Sequence, residues 1–141
     1  MITAELARNL RECGVLWQPA AGDRFTIEAE LLLGDVFWIS DLTVEPQTFG
    51  EHTVLGFNGT TEWALDSVTL DQALWLPRED QLRDLLGDRL ESVVRLPGIG
   101  WQVTYTDAPG SVPSHIVDAD LECAYARAVL AAPPRRPGPL G

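Results

Sequence analysis

The stretch that decides the fold runs from residue 55 to residue 87 and reads LGFNGTTEWALDSVTLDQALWLPREDQLRDLLG. Near its start, Asn58-Gly59 is the preferred pair for a type I′ hairpin turn, because both central residues of that turn need positive φ. The pair therefore predicts a hairpin between strands at residues 52–57 and 60–67. In the second strand Trp63 alternates with Glu62, which favours a strand over a helix.

The second half of the same stretch carries the start and stop signals of a helix. Pro77 suits the first helical position, and Glu79 and Asp80 suit the first turn, where negative charge is favourable. Leucines then recur on one face until Gly87, a helix-ending residue. We predict a short helix here. Thr69 and Gln72 leave open a single helical turn just before it, through a capping box.

Outward from this stretch, helices are predicted at both ends of the chain. Thr3 can cap a helix that runs to about Cys13, and the spacing of its apolar residues places Cys13 on the buried stripe. Asp118 is predicted to cap the last helix, whose apolar stripe leaves out Cys123. A disulfide between Cys13 and Cys123 is therefore not expected.

Strands are predicted for most of the remaining chain. Residues 24–28 alternate as a short strand, and residues 35–45 form the longest strand, which Pro46 closes because proline cannot donate to a ladder. Residues 92–96 and 101–106 flank the loop 97–100 as a second hairpin. Residues 107–114 read as an irregular connection.

Together these elements predict an α+β fold with one antiparallel sheet of about six strands and three helices, at the N-terminus, the centre and the C-terminus. Consecutive strands joined by hairpins argue against alternating βαβ units. A single domain is expected over residues 1–132. Residues 133–141 read PPRRPGPLG and predict a Pro-rich flexible tail.

Charge and composition limit the classes of function. The net charge of −11 over 141 residues repels polyphosphate backbones, so no nucleic acid is expected as a partner. The longest apolar runs are too short to span a membrane, and the N-terminus has no secretory pattern, so a cytoplasmic location without a membrane is expected. A protein partner or small ligand remains open, and so does a homo-oligomer.

There is no GxxxxGK[ST] run for a nucleotide and no GxSxG nucleophile. His52 beside Glu51, or His115 with Asp118, could contribute to a metal site, but a site needs at least three converging ligands. We therefore expect no cofactor, no metal and no catalytic residue.

The aromatic and acidic residues suggest a recognition surface instead. The chain has five tryptophans, and one or two of them on a concave sheet face beside carboxylates would suit a cationic or hydroxyl-rich ligand. A protein- or small-ligand-binding module is the first hypothesis. The candidate binding residues are Asn58, Thr60, Glu62, Trp63, Asp66 and Asp41.

Two alternatives are kept beside binding. A hydrolase-type enzyme would use Glu62, Asp66 or Asp41 as general acid or base, which requires two carboxylates that converge in a cleft. A structural subunit of an oligomer would dock its tail on a neighbour.

The runs GFNGTTEWALDSV (residues 56–68) and LWLPREDQLRDLLG (residues 74–87) resemble those of a group of short, uncharacterised bacterial proteins. The likeness extends over about residues 3–131. Some members of that group are labelled as pilus-assembly proteins, after an ATPase family. This chain has no phosphate-binding loop and is too short for that nucleotide domain, so the resemblance implies no catalytic residue.

Overall fold

A computed structural model describes residues 1–28, 35–39, 44–49, 52–57, 67–69, 72–108 and 110–134. The elements, in chain order, are α1 (Ala4–Glu12), β1 (Arg24–Ile27), β2 (Val36–Trp38), β3 (Val44–Phe49), β4 (His52–Phe57), β5 (Ser67–Thr69), β6 (Ala73–Trp75), α2 (Glu79–Leu86), β7 (Leu90–Leu96), β8 (Gly100–Tyr105), β9 (Ser114–Asp118) and α3 (Leu121–Ala131). A single 3-10 turn, Gly87–Arg89, joins α2 to β7.

The chain divides into two compact units. One comprises Met1–Leu16 together with the chain from Arg78 onward, and the other comprises Trp17–Pro77. The described strands form three separate three-stranded antiparallel sheets, ordered β2-β1-β6, β3-β4-β5 and β7-β8-β9. The predicted α+β class, with antiparallel strands and three α-helices, is confirmed. The predicted single sheet of about six strands is wrong, because hydrogen bonding stops between these groups of three.

In the unit of residues 17–77, β1 is the central strand of the first sheet. All four of its residues are buried, and Phe25 pairs with Phe37 of β2 on one side and with Trp75 of β6 on the other. Burying a large apolar side chain contributes about 1.5–3 kcal/mol, so Phe25 and Ile27 anchor this unit. The predicted strand at residues 24–28 is confirmed.

The predicted long strand at residues 35–45 is wrong. The described residues place β2 and β3 in different sheets, and β3 continues through Pro46 to Phe49. Pro46 does not close the strand because β3 is an edge strand of its sheet, and an edge position need not donate a hydrogen bond outward. Phe49 pairs with His52, so β3 and β4 form a hairpin that the sequence had not suggested.

The predicted hairpin partner of β4 also changes. The turn at Asn58-Gly59 lies outside the described residues. A two-residue turn there would set Thr61 opposite Gly56, whereas the observed register sets Ser67 opposite Gly56. Thr69 belongs to β5, and residues 70 and 71, on which the helical turn from Thr69 depends, lie outside the described residues.

In the other unit, α3 packs on β8 and β9, and α1 and α2 both pack on α3. The contact face of α3 is broad: its buried residues are Cys123, Ala124, Tyr125, Ala126, Ala128 and Val129. Small side chains allow this helix to be enclosed on several sides. No helix in the described part of the chain has the length and apolar character needed to cross a bilayer.

The helix ends follow local signals in most cases. The side chain of Thr3 accepts from the Leu6 N–H as predicted, and Gly87 ends α2 with φ 54°. The N-cap of α2 is Arg78, so Pro77 precedes the helix and does not occupy its first position. The N-cap of α3 is Asp120, which corrects Asp118. Asp118 ends β9 (Ser114–Asp118), a strand that the sequence had not predicted.

Both cysteines are free, and their burial is the reverse of the prediction. Cys13 is exposed, because it is the C-cap of α1 and lies beyond the turn that contains the buried Leu10. Cys123 is buried, because α3 contacts neighbours on more than one face. Its thiol lies 3.8 Å from the Met1 carbonyl oxygen, and burial raises the pKa of the thiol.

The second predicted hairpin is confirmed as β7 and β8. Its turn has Pro97 and Gly98 at the central positions, φ +75° at Gly98, and a hydrogen bond of 3.0 Å from the Ile99 N–H to the Leu96 carbonyl. These are the features of a type II turn, in which glycine is favoured at the third position.

Candidate functional site

The six candidate binding residues all lie outside the described residues. They are Asn58, Thr60, Glu62, Trp63, Asp66 and Asp41. Their role in binding stays a prediction, and so does the alternative use of the three carboxylates as acid or base. The sites below are built from the part of the chain that the structure describes.

The metal hypothesis on His52 and Glu51 lies outside the described side chains, and the one on His115 and Asp118 finds no support in the described part. His115 lies on β9, and its Nδ1 is 2.9 Å from the Thr104 hydroxyl and 3.4 Å from the Gln102 amide nitrogen. Asp118 is instead 3.4 Å from the Arg127 Nε and accepts from the Asp120 N–H. Within the described ranges, no three histidine, cysteine or acidic side chains are grouped so as to hold a metal ion.

Two tryptophans of the unit of residues 17–77, Trp17 and Trp75, form an aromatic cluster with Phe25 and Phe37. The rings of Trp17 and Trp75 stack at 6.4 Å with an angle of 6° between their planes. Phe25 lies 5.8 Å from Trp17 and 5.6 Å from Phe37. Such pairs add about 0.5–1.5 kcal/mol beyond the area they bury. These four rings therefore serve the packing of the sheet.

The two stacked indoles differ in their polar contacts. The Trp17 Nε1–H donates to the Asp23 carboxylate at 2.9 Å, and the same carboxylate oxygen accepts from the Ala20 N–H at 3.0 Å. The Trp75 Nε1 is buried and, among the described residues, has no hydrogen-bond partner. An unpaired buried donor costs about 1–3 kcal/mol.

We expect Trp17→Phe to lower the free energy of unfolding by about 1–2 kcal/mol more than Trp75→Phe. The two changes remove the same atoms, but only the first takes a hydrogen bond from a buried carboxylate, whereas the second removes an orphaned donor. Urea denaturation of both variants followed by circular dichroism measures the difference. Equal losses of unfolding free energy in the two variants would contradict the different hydrogen bonding of the two indoles.

Trp38 is the tryptophan that is most open to solvent in the described residues, with 55% of its surface exposed. The Arg24 guanidinium carbon lies 5.7 Å from the centre of its ring, within the range of a cation–π contact. Arg24 itself is buried and donates to the Leu76 and Pro77 carbonyls at 3.2 and 2.7 Å. The face of the Trp38 ring is therefore already in contact with the Arg24 cation.

One concave feature of the described residues is a groove where α2 and α3 end. We call it the C-terminal groove. Its volume is about 580 Å³, and it is lined by Leu85, Leu86, Asp88, Arg89, Asp107, Ala108, Ala131, Ala132, Pro133 and Pro134. The floor is apolar, while Asp88 and Asp107 are exposed carboxylates.

Arg89 determines how this groove is built. Its guanidinium donates to the Leu85 and Leu86 carbonyls, at the end of α2, and to the Ala132 and Pro133 carbonyls, just past α3. Helix C-termini carry partial negative charge and carbonyls without partners in the helix, so one cation satisfies both ends. The positive charge of Arg89 is thus committed to backbone, and the two aspartates face the open groove.

The start of α3 is also held by polar contacts. The N-terminal ammonium of Met1 donates to the Asp120 carboxylate at 2.6 Å. Burial opposes ionisation of Asp120, but the ammonium and the Cys123 N–H outweigh it and lower its pKa. On α3, burial and the nearby Glu79 carboxylate raise the pKa of Tyr125 to about 12.

Sequence reasoning missed the C-terminal groove. One signal pointed to it: Arg89 lies two residues after the helix-ending Gly87, where a cation can reach the last carbonyls. No local pattern shows that the end of α3 reaches the same side chain.

Comparisons with models of protein families, with curated proteins and with solved structures found no match to this chain.

Proposed function

We propose that this protein is a cytoplasmic, non-enzymatic binding module that recognises a basic, extended segment of a partner protein. The observation that supports it is the C-terminal groove, whose volume of about 580 Å³ is within the range of ligand sites. Membership of the group of short bacterial proteins that the sequence resembles belongs to the same proposal.

The charges of the groove favour a cationic occupant. Asp88 and Asp107 both line it and are exposed, while Arg89 is engaged by four carbonyls. A peptide that carries arginine could place its charge beside the carboxylates and its aliphatic parts on the leucines and alanines below. The net charge of −11 would also speed the encounter with a basic partner.

The test uses a fluorescein-labelled tetra-arginine peptide and fluorescence anisotropy. We expect saturable binding that Asp88→Asn and Asp107→Asn each weaken by about two- to fivefold, because an exposed ion pair contributes about 0.2–1 kcal/mol. Asp84→Asn is the matched control: it removes the same charge from an exposed position of α2 that does not line the groove.

Three results would contradict the groove as the site. Equal weakening by Asp84→Asn would show attraction to net charge alone. Equal binding of the tetra-arginine peptide at low and high salt would show that the exposed carboxylates do not hold it, because salt screens such ion pairs. Loss of binding in Glu62→Ala and Trp63→Ala, with folding intact and the groove variants unaffected, would move the site to the surface predicted from the sequence.

A further inference from the structure

The edge strand β7 leads to an inference independent of the proposed function. Among the described residues, β7 has β8 as its one strand neighbour, so its other side is an open edge. Glu91, Ser92, Val94 and Arg95 on this strand are exposed, and Val94 has 46% of its surface in contact with solvent. An open edge presents unpaired N–H and C=O groups to which another strand can add.

The direction of these groups follows from the hairpin. The Leu96 carbonyl faces the β8 side, since it accepts from the Ile99 N–H of the turn. Peptide groups alternate in direction along a strand, so Val93 and Arg95 direct their N–H and C=O groups to the outer edge. A second strand that pairs antiparallel to β7 would find its hydrogen bonds at these two residues.

The sequence of β7, LESVVRL, is nearly symmetric about Val93. In an antiparallel pair of two β7 strands centred on Val93, each Glu91 lies opposite Arg95 of the other copy, and leucines lie opposite each other at the ends. Two opposite-charge pairs then form, related by a two-fold axis. The other antiparallel registers of two β7 strands, and a parallel arrangement, do not form both of these Glu91–Arg95 pairs.

The other edge of the same sheet lacks this complementarity. A symmetric pair of β9 strands centred on Ile116 would set Asp118 opposite Ser114 and His115 opposite Val117. Asp118 also faces Arg127 within its own chain. Charges on an edge strand normally prevent pairing. On β7, however, their signs and positions permit pairing with one partner, a second copy of the same strand.

We propose that β7 is the interface of a symmetric homodimer, in which two β7 strands pair antiparallel about Val93 and join two three-stranded sheets into one of six strands. The register of β7 against β8 shifts between Leu90 and Ser92, so Glu91 lies at this irregularity and the regular part of the ladder is short. We therefore expect a dimer that dissociates on dilution.

The test is a charge-swap series measured by sedimentation velocity over a range of protein concentrations. Glu91→Arg alone, or Arg95→Glu alone, sets like charges opposite each other at both symmetric positions, and we expect each to raise the dimer dissociation constant at least about tenfold. The double variant Glu91→Arg/Arg95→Glu restores opposite charges across the axis, and we expect it to recover dimerisation.

The controls make each outcome decisive. Glu12→Arg changes the net charge by the same amount as Glu91→Arg, but at the exposed end of α1. It is expected to leave the dimer unchanged. Circular dichroism establishes that all variants are folded. A chain that stays monomeric at every concentration would overturn the proposal. So would a dimer that is insensitive to the single reversals, or a double variant that fails to recover.

Discussion

Replacing Gly100 with alanine is expected to lower the free energy of unfolding by about 3 kcal/mol or more, enough to threaten folding. Gly100 begins β8 with φ +143°, a backbone conformation that side chains of L-residues rarely adopt. A Cβ atom there would lie 2.3 Å from the Asp118 carbonyl oxygen and 2.6 Å from the Ala119 Cα. Both obstacles are backbone atoms, so relief would require β8 and the end of β9 to move apart.

Gly98→Ala is the matched control for this prediction. Gly98 is in the same hairpin and has φ +75°, but a Cβ atom there would meet nothing within 4 Å. We expect a loss of about 1 kcal/mol, which is the conformational term alone. Thermal and urea denaturation compare the two variants, and absence of a cooperative transition in Gly100→Ala counts as the expected result. Equal losses would show that the close approach of β9 does not limit this position.

Replacing Arg89 with methionine is expected to lower the free energy of unfolding by about 2–4 kcal/mol. Methionine keeps most of the aliphatic length, but it leaves the carbonyls of Leu85, Leu86, Ala132 and Pro133 without their charged donor. Hydrogen bonds to a charged group contribute about 1.5–3 kcal/mol, and a cation at a helix C-terminus adds up to about 2 kcal/mol in partly buried geometry.

Arg83→Met provides the comparison within the same helix. Arg83 is exposed and its NH1 nitrogen lies 3.7 Å from the Glu79 carboxylate, one helical turn away. Such a pair contributes about 0.3–0.5 kcal/mol. Arg89→Lys should recover only part of the lost stability. Lysine keeps the positive charge, but a single ammonium cannot span four carbonyls. If Arg89→Met and Arg83→Met lose the same stability in urea, Arg89 does not join the two helix ends.

Local signals in the sequence were read correctly where each depends on a few neighbouring residues. Thr3 caps α1, Gly87 ends α2, and Pro97-Gly98 turns β7 into β8. These features follow from allowed φ values and from the hydrogen bonds of the first and last helical turns, which are the same in any surroundings. The α+β class and the hairpin of β7 and β8 could therefore be predicted.

Pairing between distant strands could not be predicted in the same way. Pro46 looked like a strand end, yet it is accommodated because β3 has a neighbour on one side in the described sheet. The short alternating runs around β2 and β3 carry no information about which sheet each strand joins. Hydrogen bonds with residues far along the chain make that choice.

The chain alone determined where α1 begins, where α2 ends, where the tight turn after β7 forms, and that the net charge is acidic. The packed structure decided which edge of β7 has no strand neighbour among the described residues, why Cys123 is buried while Cys13 is exposed, and that Arg89 meets the ends of two helices. The reason is physical: caps and turns depend on the backbone of adjacent residues, whereas burial and open edges depend on contacts between residues that lie far apart in sequence.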